Sequence, residues 1–360
     1  MKKGILALAL GLILILFNTL LVECQAEPTS KSRPKFMGMA SYETGAATYP
    51  WGVGIASAIE KKMGIKVRII PTKTDVSKAV LLRSKEATLT LLAATAYFMF
   101  NGKEEYDSSE WGPQPLRIQW IGGNVPVGMM TRADSGIKKI SDLRGKKVAF
   151  MPGVYGPNLY NEGYLAFGGL TWNDVKKLNV PSYGASHKAV QDGAADATSS
   201  ALTAPGAREL EAGHGIYWLP VPFEDKEGWA RLMKTTPVFF PEIATEGAGG
   251  ISKNKPLEVA NFSSLILTYD WLEEDLGFEI TKSIAEGYDI YKSVAPALAN
   301  WTFDTFLKCL PMSYIPLHPG CIKYLKKVGR WKNDFDEHQT RLLSGEAQRV
   351  KAWKDKYGLK

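Results

Sequence analysis

The sequence predicts an α/β fold: two α/β domains joined by two crossing strands, followed by a helical C-terminus. Three observations predict it. Short apolar runs alternate with amphipathic helical stretches over residues 35–100 and again over 140–220, the pattern of mainly parallel sheets covered by helices. Two other apolar segments, Val125–Thr131 and Phe262–Thr268, fall outside these repeats and suit strands that leave one domain and return to it. The remaining C-terminus reads as helical, with Lys-rich solvated faces. The expected division is lobe 1 at 35–126 plus 263–360 and lobe 2 at 127–262. Two connections of this kind make a hinge with a cleft.

Taken in order, Lys35–Ala40 reads as a first strand, followed by the Gly/Thr/Tyr segment Ser41–Pro50. Trp51–Met63 reads as a helix with Val53, Ala56, Ile59 and Met63 near one face. Pro50 sits where a helix start tolerates proline, and Gly64 where a helix ends. Lys66–Ile70 is the second strand. Asp75–Ser84 is a short helix carrying Val76, Ala79, Val80 and Leu82. Thr88–Leu92 is the third strand, and Ala96–Phe100 opens another helix. In the second unit the expected strands are Lys147–Met151, Leu178–Pro181, Ala197–Ala201 and Ile216–Pro220. The expected helices are Ile140–Arg144, Asn158–Phe167, Trp172–Leu178, His187–Asp192 and Pro205–Ala212.

The chain has 360 residues, enough for two domains, and 45% hydrophobic with 22% charged residues excludes a disordered chain. A net charge of +7 over this length does not argue for a nucleic-acid partner. None of the four histidines lies in a His-Glu-x-x-His motif, and no Cys-x-x-Cys, Gly-x-Ser-x-Gly or phosphate-binding Gly-Lys-Ser/Thr loop occurs. No metal, cofactor or catalytic residue is therefore expected, and Glu273-Glu274-Asp275 reads as an exposed helix end. Lys2 and Lys3, the apolar run Gly4–Val22 and the small residues Cys24 and Ala26 form an export signal cleaved after Ala26. A retained anchor and lipidation at Cys24 are the alternatives. Export implies an oxidising space, in which Cys309 and Cys321 either pair as a disulfide or remain buried thiols.

Ligands of parallel sheets sit beyond the carboxyl ends of the strands. The Thr44–Thr48 loop, with Gly45, leads into a helix whose free N–H groups suit a carboxylate, or else it is a capped turn. Tyr49 either walls that pocket or packs into the core. Thr72 and Thr74 offer hydroxyls or cap the next helix, and Lys73 offers a charge or is exposed. Thr95 follows the third strand. Tyr155, Gly156 and Asn158 stand at a helix start of the second domain, with Thr203 and Asn124 as weaker candidates. His187 reads as a surface residue.

Several segments together resemble a known family. Arg132–Ala149, with its Ser141-Asp142-Leu143-Arg144-Gly145-Lys146 core, resembles the stretch that begins the second domain of type II periplasmic solute receptors. Thr44–Gly52 resembles the Gly-Gly-Thr-Tyr-Tyr-Pro-x-Gly loop of TAXI-family receptors of TRAP transporters. Ile315-Pro316-Leu317-His318-Pro319-Gly320 resembles that family's Pro-Leu-His-Pro-Gly segment. The resemblance implies a two-lobed type II periplasmic binding protein that captures a small organic carboxylate and delivers it to a TRAP-type membrane permease driven by an ion gradient. An ABC-importer receptor, a sensor domain that presents its ligand to a membrane kinase and a secreted enzyme on the same scaffold are the alternatives. The sequence departs from the family at Ala46-Ala47, Thr72–Asp75, Ala93–Ala96 and Pro152–Asn158. These less polar, more aromatic loops point to a carboxylate with a bulkier body.

Overall fold

Ten strands and twelve α-helices follow one another over residues 34–359, which the structure, a computed structural model, describes. The expected export signal, with Cys24 and the cleavage point after Ala26, lies outside the described residues. Among the described residues no helix is long and apolar enough to cross a membrane.

The first α/β unit is formed as its alternation requires. Strand β1 (Phe36–Tyr42) pairs in parallel with β2 (Lys66–Thr72) and β3 (Leu89–Leu92). Helix α1 (Thr48–Met63) starts three residues earlier than the sequence suggests, because a proline in the first turn costs no helical hydrogen bond. Trp51, Ile55, Ile59 and Met63 make its buried face, while Val53 is exposed. Gly64 ends it in the left-handed conformation, at φ 70°. Helix α2 (Asp75–Arg83) is capped by Thr74, whose hydroxyl accepts from Ser77 N at 3.1 Å. Its inner face is Asp75, Lys78, Ala79 and Leu82, and Val80 points to solvent. Helix α3 (Thr95–Asn101) follows β3.

Strand β4 (Leu116–Arg132) is much longer than the segment its apolar core suggested. Antiparallel β10 (Leu257–Tyr269) runs beside it, and the main sheet has the order β2-β1-β3-β10-β4-β7. The last part of β10 therefore lies between β3 and the first part of β4. The other ends carry β7 (Thr198–Ala201), β8 (Ile216–Leu219) and β9 (Phe240–Ala244). Glu242 of β9 ties its strand to β4 and β10 by accepting from Asn124 Nδ2 at 2.6 Å and Asn261 Nδ2 at 2.9 Å. Asn124 is thus a strand-to-strand link. The pair β5 (Lys147–Phe150) and β6 (Lys176–Asn179) is parallel. The same stretch of chain supplies α4 (Tyr155–Phe167), α5 (Tyr183–Gln191), α6 (Pro205–His214) and α7 (Lys226–Thr235), of which α5 packs on β5 and α7 on α4.

Residues 172–175 do not form the expected helix. Asp174 instead folds them into a turn, accepting from both Thr171 N and Thr171 Oγ1 at 2.9 Å. The C-terminus is helical as read: α8 (Glu274–Ala285), α9 (Tyr288–Tyr291), α10 (Phe303–Cys309), α11 (Pro319–Lys327) and α12 (Asn333–Tyr357). The Pro-Leu-His-Pro-Gly segment pins it to the sheet. Leu317 bridges Ile118, and buried His318 donates from Nε2 to Leu272 O while its Nδ1 accepts from Gly320 N at 3.1 Å. Cys309 and Cys321 are free, buried thiols, so the disulfide is not formed. They sit on different helices: Cys309 Sγ lies 4.0 Å from Ser263 Oγ, while Cys321 is enclosed in α11, where burial raises its thiol to about 12.

Candidate functional site

The loops beyond β1, β2 and β3 converge on one buried carboxylate. Asp75, the first residue of α2, has no exposed surface, and neither has Lys78 one turn later. Asp75 accepts from the Tyr42 hydroxyl, from Thr95 Oγ1 at 3.4 Å, from Gly156 N at 3.1 Å and from Lys78 Nζ at 3.4 Å. It is fully provided for. Lys78 is not: beyond that long bond its ammonium rests 3.0 Å above the Tyr42 ring. Burial lowers Lys78 to about 8, against the opposing pull of Asp75. Burial and the Asp75 charge raise the Tyr42 phenol. The cation of this site is therefore Lys78, while Lys73 is exposed.

The facing wall is made of helix starts. The second residue of α4, α5 and α6 is in each case a glycine, and each glycine N–H is received by the first unit. Gly156 N donates to Asp75, Gly184 N to Glu43 Oε1 at 3.0 Å, and Gly206 N to Gly45 O at 3.4 Å. First-turn N–H groups have no partner within a helix and sit at the positive end of its dipole, so acceptors are favoured there. Gly156 has a steric reason as well, since a Cβ at this position would run into Thr95 Oγ1. Behind these starts, Tyr42 meets Tyr183 at a ring distance of 5.9 Å, and Tyr183 meets His187 at 4.5 Å. His187 is buried, not on the surface, and burial lowers it to about 4, so it is neutral.

Two cavities adjoin this constellation. One, of about 30 Å³, is bordered by Tyr42, Thr48, Lys78, Thr95, Tyr160 and Tyr183 and has room for one or two water molecules. The other, of about 360 Å³, is lined by aromatic and aliphatic side chains that include Tyr97, Phe239, Phe262 and Tyr314. Among the described residues no cluster of His, Cys, Asp or Glu could hold a metal ion.

The structure brings several sequence candidates to the site. Thr95 and Gly156 contact Asp75, Thr48 lines the small cavity, and Gly45 meets the facing helix. Others have structural work. Thr72 donates to Ser41 O at 2.9 Å, tying β2 to β1. Thr74 caps α2, and Asn158 closes its own loop through Met151 N and O at 2.9 and 2.7 Å. Tyr155 packs edge-on against Phe98 at 4.7 Å. Thr44 is exposed, Tyr49 is half-buried, and Thr203 is half-buried in the turn before α6; all three lie outside the lining of both cavities. Sequence reasoning missed Tyr42, Glu43, Lys78, Tyr160, Gly184 and Gly206. The signals were two charges on the inner face of α2 and a glycine at the second position of three successive helices.

The fold defines the class. The architecture is that of type II periplasmic binding proteins. The periplasmic binding protein BugD superposes with a TM-score of 0.57 at 10% identity, covering 91% of this chain and 99% of BugD. A structure described as a periplasmic transporter gives 0.55 at 12% identity, covering 75% of this chain and 88% of the other. MatC from Rhodopseudomonas palustris, with bound malate, gives 0.52 at 11%, covering 86% of this chain and 98% of MatC. The NMT1-like family model matches residues 39–329, and the chain belongs to that family.

Proposed function

We propose that this chain is an exported, extracytoplasmic solute receptor of the TAXI type. Its two lobes, 35–126 plus 263–360 and 127–262, close on a small organic carboxylate and present it to a TRAP-type permease. It needs no cofactor and catalyses no reaction. The observation that carries the reading is the under-bonded Lys78 ammonium, buried where three helix starts face the loops of β1–β3. An oxygen acceptor from a ligand completes its coordination with a charge-assisted hydrogen bond. The contacts Asp75–Gly156, Glu43–Gly184 and Gly45–Gly206 each run from lobe 1 to lobe 2, so they form on closure and break on opening. The run of β4 and β10 through both lobes supplies the hinge. MatC holds malate, a carboxylate, in the same fold.

A thermal-shift screen against organic acids, amino acids and neutral solutes tests the reading, because a ligand bound only to the folded state raises Tm. A saturable rise with carboxylates supports it. No shift with any solute, for folded and ligand-free protein, overturns it. The permease assignment is tested in vesicles carrying the transporter: uptake driven by an ion gradient without ATP supports the TRAP partner, and an ATP requirement assigns the chain to an ABC importer.

A further inference from the structure

The Asp75–Lys78 constellation uses only the smaller cavity. The larger chamber shares Phe262 with it, and Ala94 lines the chamber while its chain neighbours Ala93 and Thr95 line the small cavity. The partition between them is aromatic: Tyr160 of α4 stacks on Phe262 at 5.1 Å and leans on Phe239 at 5.3 Å. Phe239 faces the chamber, and Tyr160 faces the small cavity.

The chamber has the volume of a small-molecule pocket and no charged side chain in its lining. Its polar groups are already engaged. Ser313 Oγ pairs with His338 Nε2 at 3.1 Å, the Tyr314 hydroxyl donates to Ala93 O at 3.4 Å, and Ser263 Oγ lies against Cys309 Sγ. Such a surface gains most from an apolar guest. Among the described residues the carboxyl and ammonium groups lining the two cavities are Asp75 and Lys78, and the Lys78 ammonium makes one long hydrogen bond, to Asp75, and rests on the Tyr42 ring. There is one seat for an anionic oxygen and none for a second carboxylate.

We propose, resting on the receptor reading, that the two cavities are compartments of one ligand site. Its ligand is an amphipathic monoacid, with a single carboxylate at Lys78 and an apolar body in the chamber. The partition travels with α4, so opening the lobes joins the compartments and closing them seals the apolar body behind Tyr160.

The test is a calorimetric titration with straight-chain monocarboxylates from acetate to decanoate, with glutarate as a compact dicarboxylate. Affinity is expected to rise about fourfold per methylene until the chamber is full, with glutarate well behind. Ala94→Leu, which takes volume from the chamber, should shorten the chain length at which affinity peaks. Cys309 lines the chamber and supplies a readout in the unaltered protein. Its modification by a small methanethiosulfonate, followed by peptide mass spectrometry, should slow with decanoate and not with acetate. If affinity is independent of chain length, or glutarate binds most tightly while Cys309 stays reactive, the chamber is not part of the site and the receptor reading survives. If no organic acid binds and Cys309 reactivity never changes, both readings fall.

Discussion

The two walls of the candidate site hold their partners by opposite means. The wall on β1–β3 uses side chains: a carboxylate, an ammonium and two hydroxyls, gathered around Asp75. The facing wall uses main-chain N–H groups at the starts of α4, α5 and α6. Burying an ion pair is expensive unless every partner is present. Helix-start N–H groups lack intrahelical partners in any case, so exposing them to a cleft adds little cost. The first wall should therefore be sensitive to charge and the second to the volume of an added Cβ.

The largest expected effect breaks the first wall. Lys78→Met leaves Asp75 buried against neutral donors, and stability in urea should fall by about 3–5 kcal/mol. Replacing both partners, Asp75→Leu with Lys78→Met, should recover most of that loss while carboxylate binding stays weak. A double variant as unstable as the single one would show that Asp75 is needed for its hydroxyl and amide partners more than for Lys78. The next effect is acidic. His187, on the facing wall, is held from 6.5 down to about 4 by burial. The folded state therefore resists a proton that the unfolded state accepts. Its contribution is fully present above pH 6.5 and is lost as pH falls toward 4, by about 3 kcal/mol. Urea unfolding at a series of pH values should show this component in the wild type and not in His187→Gln.

The fold was readable because its signals are local. Alternating apolar runs gave the strands, and Gly64 marked the end of α1, while Pro50 fell inside its first turn instead of at its start. The cleft was only half readable for a physical reason. On α2 the sequence suggests an apolar stripe through Val76 and Val80, yet the buried face is Asp75, Lys78, Ala79 and Leu82. Two charges at core positions imitate a solvated face until the strands around them are known. Gly184 and Gly206 carry no side chain at all, so their part in the cleft follows from where α5 and α6 point. Asn158 shows the converse. It is a polar residue at a helix start beside the cleft, but both ends of its amide are committed to Met151.

Gly156→Ala probes the second wall directly. The new methyl meets Thr95 Oγ1, so on the proposed two-lobed reading either the lobes part or Thr95 shifts away from Asp75. Overpacking of this kind costs about 1–3 kcal/mol. The expected signature is an increase in the radius of gyration of the ligand-free protein in solution scattering, with little change in secondary structure by circular dichroism. An unchanged radius and unchanged stability would mean that Thr95 gives way freely and that the Gly156 contact does not hold the walls together.

The smallest effect separates charge from hydrogen bonding at the rim. Glu43 is only half-buried, and its Oε1 accepts from Gly184 N at the start of α5. Glu43→Gln keeps an acceptor oxygen at that position and removes the negative charge facing the helix dipole. A charge–dipole contact at a partly exposed helix start is worth about 0.3–1 kcal/mol and is screened by salt. The variant should therefore be less stable than the wild type by that amount at low ionic strength, with the difference shrinking at high salt. Asp75 has no solvent around it to do the screening, so the loss caused by Lys78→Met should stay nearly constant over the same salt range. If the Glu43→Gln difference persisted at high salt, the rim contact would be acting as a buried one, and the cleft would be closed to solvent as far out as the start of α5.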